Sequence, residues 1–130
     1  MGFLPNGDLI IVSKDYKIYS YSLPVANSTF WECSQIYDLE ITESLKSKYI
    51  DCFVYQTKLF LFYSQSIMVQ WNLSTMNFEM QYFFDNKISE EPKIVINKNQ
   101  TLLALNIKEV IYVFSMETGM QISRYSGIIL

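Results

Sequence analysis

The sequence predicts an all-β domain. Three observations carry that prediction: a strand-favouring composition, short apolar runs bounded by turn residues, and a self-similarity that returns every 43 to 50 residues. Of the 130 residues, 50% are hydrophobic and 16% aromatic, which suits one packed domain and argues against disorder. Alanine occurs only at Ala26 and Ala104, whereas Ile, Val, Tyr and Phe are plentiful. β-Branched and aromatic side chains fit a pleated, half-buried surface better than a helix.

The self-similarity is visible on sliding the chain against itself. A shift of 43 lays Ile50 to Tyr82 over Lys93 to Tyr125 without a gap, and a shift of 50 lays Phe3 to Leu23 over Phe53 to Leu73. Leu9, Leu59 and Leu102 then coincide, as do Ile18, Met68 and Ile111, and Tyr21, Trp71 and Phe114.

Each unit reads in the same order. An extended segment comes first, at Tyr49 to Tyr55 and Lys93 to Ile96, while the first unit lacks most of it. Turns such as Pro5-Asn6-Gly7-Asp8 and Asn97-Lys98-Asn99-Gln100 follow. Fixed φ, tolerance of left-handed backbone and side-chain bonds to the main chain favour these residues there. The second strand spans Asp8 to Ser13, Lys58 to Ser64 and Thr101 to Asn106. The third carries the aromatic, at Lys17 to Leu23, Ile67 to Leu73 and Val110 to Met116. A fourth is expected within Thr29 to Leu39, near Phe78 to Phe84 and near Met120 to Ser126. The chain is one domain over 1–130, with units at about 3–39, 49–84 and 93–126 and about eleven strands in all.

Four short antiparallel strands at this spacing form the unit of a β-propeller blade. A sandwich or barrel also has evenly spaced strands, but has no reason to show a gapless repeat. At Trp71-Asn72-Leu73-Ser74-Thr75 and Phe114-Ser115-Met116-Glu117-Thr118-Gly119 the chain resembles divergent WD-repeat propellers. In that family a Trp-Asp pair ends the third strand and a Thr-Gly turn follows. Trp is kept once here, Asp never, and the Gly-His pair is missing, so only the blade pattern carries over. The expected fold is a segment of about three four-stranded blades, an open arc or part of a larger propeller.

Blades bury both faces against their neighbours, so LFLFY and VIYVF can be nearly continuous in apolar residues. Tyr21, Trp71, Phe114, Leu9, Leu59 and Leu102 are expected in the blade core. The loops joining blades, Asp38 to Lys48 and Asp85 to Pro92, concentrate acid. Asp38, Glu40, Glu43, Asp85, Glu90 and Glu91 are the candidate partner-binding residues. The turns at Lys14 to Tyr16, Gln65-Ser66 and Lys108-Glu109 share that exposure.

Composition also excludes chemistry. With no histidine, Ser-His-Asp and Cys-His systems and histidine-ligated metals are out of reach of this chain. Cys33 and Cys52 make neither a zinc site nor a disulfide framework, and free thiols are expected. Net charge is −3 with a single arginine, Arg124, so nucleic acid is not an expected partner. No catalytic residue, cofactor or metal site is assigned. No signal h-region or membrane-length apolar run is seen, and a cytoplasmic location is expected. Sequons at Asn27, Asn72 and Asn99 point weakly the other way.

The resemblance implies a non-catalytic protein-interaction or scaffold module, a fragment of a larger protein. Its partners would be other proteins, and the remaining blades of its full-length chain or another copy. The alternative is part of an enzymatic propeller whose active-site residues lie outside this segment.

Overall fold

The computed structural model describes residues 1–13, 17–23, 30–38, 49–63, 66–85 and 92–127. It is all-β and contains three four-stranded antiparallel sheets that do not close into a barrel. Sheet 1 holds β1 (Gly2–Phe3), β2 (Leu9–Val12), β3 (Lys17–Ser22) and β4 (Glu32–Asp38). Sheet 2 holds β5 (Tyr49–Tyr55), β6 (Lys58–Tyr63), β7 (Ile67–Asn72) and β8 (Asn77–Phe83). Sheet 3 holds β9 (Lys93–Ile96), β10 (Leu102–Ile107), β11 (Val110–Ser115) and β12 (Gln121–Ser126). In each sheet the strands lie in chain order, so every connection is a hairpin. The strand beyond the expected eleven is β1, where Gly2 and Phe3 pair with Ile10 and Leu9.

The sheets stack in the order 1, 2, 3, and sheet 2 is buried on both faces. Its strand β6 shows how one short sequence serves both. Leu59, Leu61 and Tyr63 join Ile10 and Ile18 of sheet 1, with Val69 and Trp71. The alternate residues Phe60 and Phe62 join Leu103, Leu105, Tyr112 and Phe114 of sheet 3. Successive side chains of a strand point to opposite faces, so a continuous apolar run is what a twice-covered strand requires. Burying each such side chain contributes about 1.5–3 kcal/mol. The first strands of sheets 1 and 2 come together at Gly2, where a Cβ would lie 2.6 Å from the Val54 Cβ. This stacking is propeller-like: sheets 2 and 3 each turn the aromatic third-strand position toward the sheet before it.

That rule accounts for the expected core residues individually. Leu59, Trp71 and Phe114 are buried, because a sheet stands in front of each. Leu9 and Tyr21 occupy the same positions in sheet 1 and are half-buried, because no described sheet covers that face. Leu102 departs from expectation: it is 41% exposed, and its neighbour Leu103 is fully buried.

Hairpin length explains the correction. Leu9 pairs with Tyr21 and Leu59 with Trp71, but Phe114 pairs with Leu103. Between β6 and β7, Tyr63 pairs with Ile67 and leaves three residues outside the pairing. Between β10 and β11, Ile107 pairs with Val110 and leaves only Lys108 and Glu109, with Lys108 at φ 56°. The gapless alignment is therefore one residue out along β10. A one-residue slip moves a side chain to the opposite face.

Two finer features also repeat. A β-bulge falls between Ser20 and Tyr21, between Gln70 and Trp71, and between Val113 and Phe114, immediately before the aromatic each time. Such bulges bend a strand and raise its twist, and the common placement gives the three sheets a common curvature. The following turn is anchored from one position. Asn72 Oδ1 accepts from the amides of Ser74 (2.8 Å) and Thr75 (3.3 Å). Ser115 Oγ accepts from Glu117 and Thr118, both at 3.3 Å. A short polar side chain that bonds two residues ahead is the usual way to fix such a turn.

Candidate functional site

The acidic loop residues fall into three groups. Glu40, Glu43, Glu90 and Glu91 lie outside the described residues, as do loop residues 14–16 and Gln65. Asp38 ends β4, exposed, opposite Lys17 in the pairing. Asp85 follows β8 and is engaged within the chain. It accepts a hydrogen bond from the Tyr112 hydroxyl and forms an ion pair with Arg124. The Arg124 guanidinium also lies 5.6 Å from the centre of the Tyr112 ring. The two described acids thus serve different places, and Asp85 ties sheet 2 to sheet 3.

The Asp85 cluster makes stability depend on pH at both ends. The hydrogen bond from Tyr112, and then Arg124, hold the Asp85 carboxyl below its ordinary range. A depressed folded value contributes stability above the unfolded carboxylate value, near 4, and loses it as pH falls through the folded one. Burial, and then the bond to Asp85, push the Tyr112 hydroxyl up to about 12. Its contribution is complete below the unfolded phenol value near 10 and is lost as pH rises beyond that. Tyr112→Phe should therefore flatten both limbs of a melting-temperature profile, below about pH 4 and between about pH 10 and 12. Parallel profiles for variant and wild type would contradict this linkage. Some alkaline slope will remain, because burial also raises the Tyr82 hydroxyl, with the charge of Glu79 adding to it.

The two inter-sheet seams are built on matching positions but filled differently. On the face of sheet 2 toward sheet 3, Lys58 Nζ bonds both Glu79 oxygens at 2.8 Å. Gln70 Nε2 donates to Glu79 Oε2 (3.3 Å), and Gln70 Oε1 accepts from the Tyr82 hydroxyl (2.6 Å). Phe60, Met80 and Met116 complete this filling. In sheet 1 the register puts Asp8 where sheet 2 has Lys58, Ile10 for Phe60, Ser20 for Gln70 and Gln35 for Met80. Tyr37 stands where sheet 2 has Tyr82, and its hydroxyl donates to Gln35 Oε1.

The smaller residues of sheet 1 leave the first seam open. A cavity of about 460 Å³ lies between sheets 1 and 2, lined by Asp8, Ile10, Ser20 and Gln35 on one side and Leu73 and Met76 on the other. A second opening, about 370 Å³, also touches Met76 and is lined by Asp38, Trp71, Asn77 and Phe78. The Trp71 Nε1 is buried and has no hydrogen-bond partner among the described residues. Among the described residues, no lysine or arginine lines either opening. Sequence reasoning missed this site. Its signal is the break in the repeat at Asp8 and Lys58, and at Ser20 and Gln70, which aligned units display but hydrophobic pattern does not.

Elsewhere, Cys33 and Cys52 are free thiols, Cys33 exposed and Cys52 half-buried. No group of three or more His, Cys, Asp or Glu that could hold a metal occurs among the described residues. Nor is any helix there long and apolar enough to cross a membrane. Fold and site together define an all-β chain of three stacked blade-like sheets with one open seam. A scan against protein-family models finds no match, and no curated protein matches the sequence.

Proposed function

We propose that the chain is a non-catalytic protein-interaction module of the WD-repeat-like type. The observation that carries this reading is the threefold repetition of one sheet design, with hairpin loops at the ends of every strand pair. Stacked repeats of this kind hold many loops in fixed relation, and binding residues concentrate on such loops. The apolar outer face of sheet 1, including Phe3 and Ile36, suits further blades of the full-length chain or another copy. The acidic loops supply a docking rim for a basic protein partner, with charge setting specificity and encounter rate.

The test is quantitative capture from extract on immobilised chain. The comparison carries Asp38→Asn, Glu40→Gln, Glu43→Gln, Glu90→Gln and Glu91→Gln together. Wild type should retain specific basic proteins at least about tenfold better at low salt, and the advantage should shrink as salt screens it. Equal retention by both chains at every salt concentration would remove the acidic rim from the proposal. Asp85 is left unchanged because it is already paired with Arg124.

A further inference from the structure

We infer that the open seam between sheets 1 and 2 binds an alkylammonium group, supplied by a lysine side chain of a partner polypeptide, with Asp8 as its counter-ion. The inference deepens the interaction reading and rests on it only for the source of the ammonium. The molecule contains its own precedent. In the second seam the position matching Asp8 is Lys58, whose ammonium is held by Glu79 beside Gln70. Among the described residues lining the first seam there is no such cation, and an acid stands in its place.

Size and lining agree. Ile10 and Ser20 take less room than the matching Phe60 and Gln70, and the space left, about 460 Å³, falls in the range of ligand sites. Leu4, Ile18, Leu73 and Met76 offer an apolar wall for a methylene stem, as lysine stems commonly lie along apolar surface. Asp8 is the charged side chain among the described lining residues. It already accepts from Asn6 Nδ2 at 3.1 Å and donates its own backbone amide to Asn6 Oδ1 at 3.0 Å, which fixes its position. Hydroxyls of Ser20 and Ser74 provide further acceptors. A carboxylate as the charged group of the described lining disfavours anions. Asp38 at the second opening extends the same sign of charge along the seam.

The experiment is a backbone-amide NMR titration of the chain at neutral pH with n-pentylamine, and with 1-pentanol as the uncharged control. Shift changes should centre on Asp8, Ser20, Leu73 and Ser74, with the amine binding better than the alcohol. Asp8→Asn, which retains the turn's hydrogen-bonding shape, should weaken amine binding about tenfold. The double variant Ile10→Phe, Ser20→Gln, which copies the filled seam, should abolish binding without lowering the melting temperature. Equal binding of amine and alcohol, or an unchanged affinity in Asp8→Asn, would overturn the site, whether or not the filled variant folds. A second titration compares acetyl-Ala-Lys-Ala-amide with its norleucine counterpart. Preference for the lysine peptide supports a polypeptide source. Absence of preference while the free amine still binds overturns that source and leaves the capture experiment's outcome independent.

Discussion

Phe114→Ala is expected to lower the free energy of unfolding by about 3–5 kcal/mol. The ring is fully buried in the seam between sheets 2 and 3. It meets Tyr82 edge-on at 5.3 Å between centroids and lies stacked near Tyr112 at 6.2 Å. Removing it takes away transfer energy and leaves a void that two packed sheets cannot easily close. Against a typical total of about 5–15 kcal/mol, the loss is a large fraction of the stability. Urea unfolding followed by tryptophan fluorescence reads the difference directly. The same measurement tests the β10 register. Leu103→Ala should cost about 2–5 kcal/mol, whereas Leu102→Ala, on the exposed side, should cost under about 1. The reverse order would restore the gapless alignment and contradict the pairing of Leu103 with Phe114.

Gly119→Ala should carry the second large penalty, about 3 kcal/mol, from two separable sources. Gly119 has φ of 74°, in the left-handed region that costs a residue with a Cβ about 1–2 kcal/mol. A Cβ there would also lie 2.6 Å from Met80 Sδ and 3.0 Å from the backbone oxygen of Gln81. The sulfur can move but the strand carbonyl cannot. Gly7→Ala is the control: φ is 92° and nothing lies within 4 Å of the added carbon, so only the backbone cost applies. A double-mutant cycle of Gly119→Ala with Met80→Ala should be less than additive by about 1 kcal/mol. Strict additivity would show that the alanine is accommodated without touching Met80. The position is informative beyond stability. Met76 stands at the matching turn position with φ of 57°, and there it lines the open seam.

Much of this architecture was legible in the residues. The apolar run Leu59 to Tyr63 announces a strand covered on both faces, and each of those five side chains is buried. The turn at Asn72 was readable from a short polar side chain followed by Ser and Thr, and its amide acceptor does fix that turn. Trp71 and Phe114 lie inside because the repeat places them where a neighbouring sheet must pack. Less legible was the first strand. Gly2 and Phe3 are too short a run to read as a strand, and only their partners Ile10 and Leu9 make them one. The Asp85 cluster was equally hidden. Tyr112 and Arg124 lie 27 and 39 residues away along the chain, so an acid that reads as free rim is already engaged.

By itself the sequence determined the strand period, the turn chemistry, the order of units and the absence of histidine chemistry. These are local or compositional properties, set by residues close together in the chain. Only the tertiary structure decided which of Leu102 and Leu103 faces the seam, where the three bulges fall, and that one seam is filled while the other stays open. Each of those outcomes depends on pairing between segments that meet only after folding. A single residue in a hairpin reverses the face of a strand. A change from Gln70 to Ser20, or from Lys58 to Asp8, has meaning only once two sheets are laid side by side. The first seam is open because its side chains are too small to span a distance that the shared sheet design imposes.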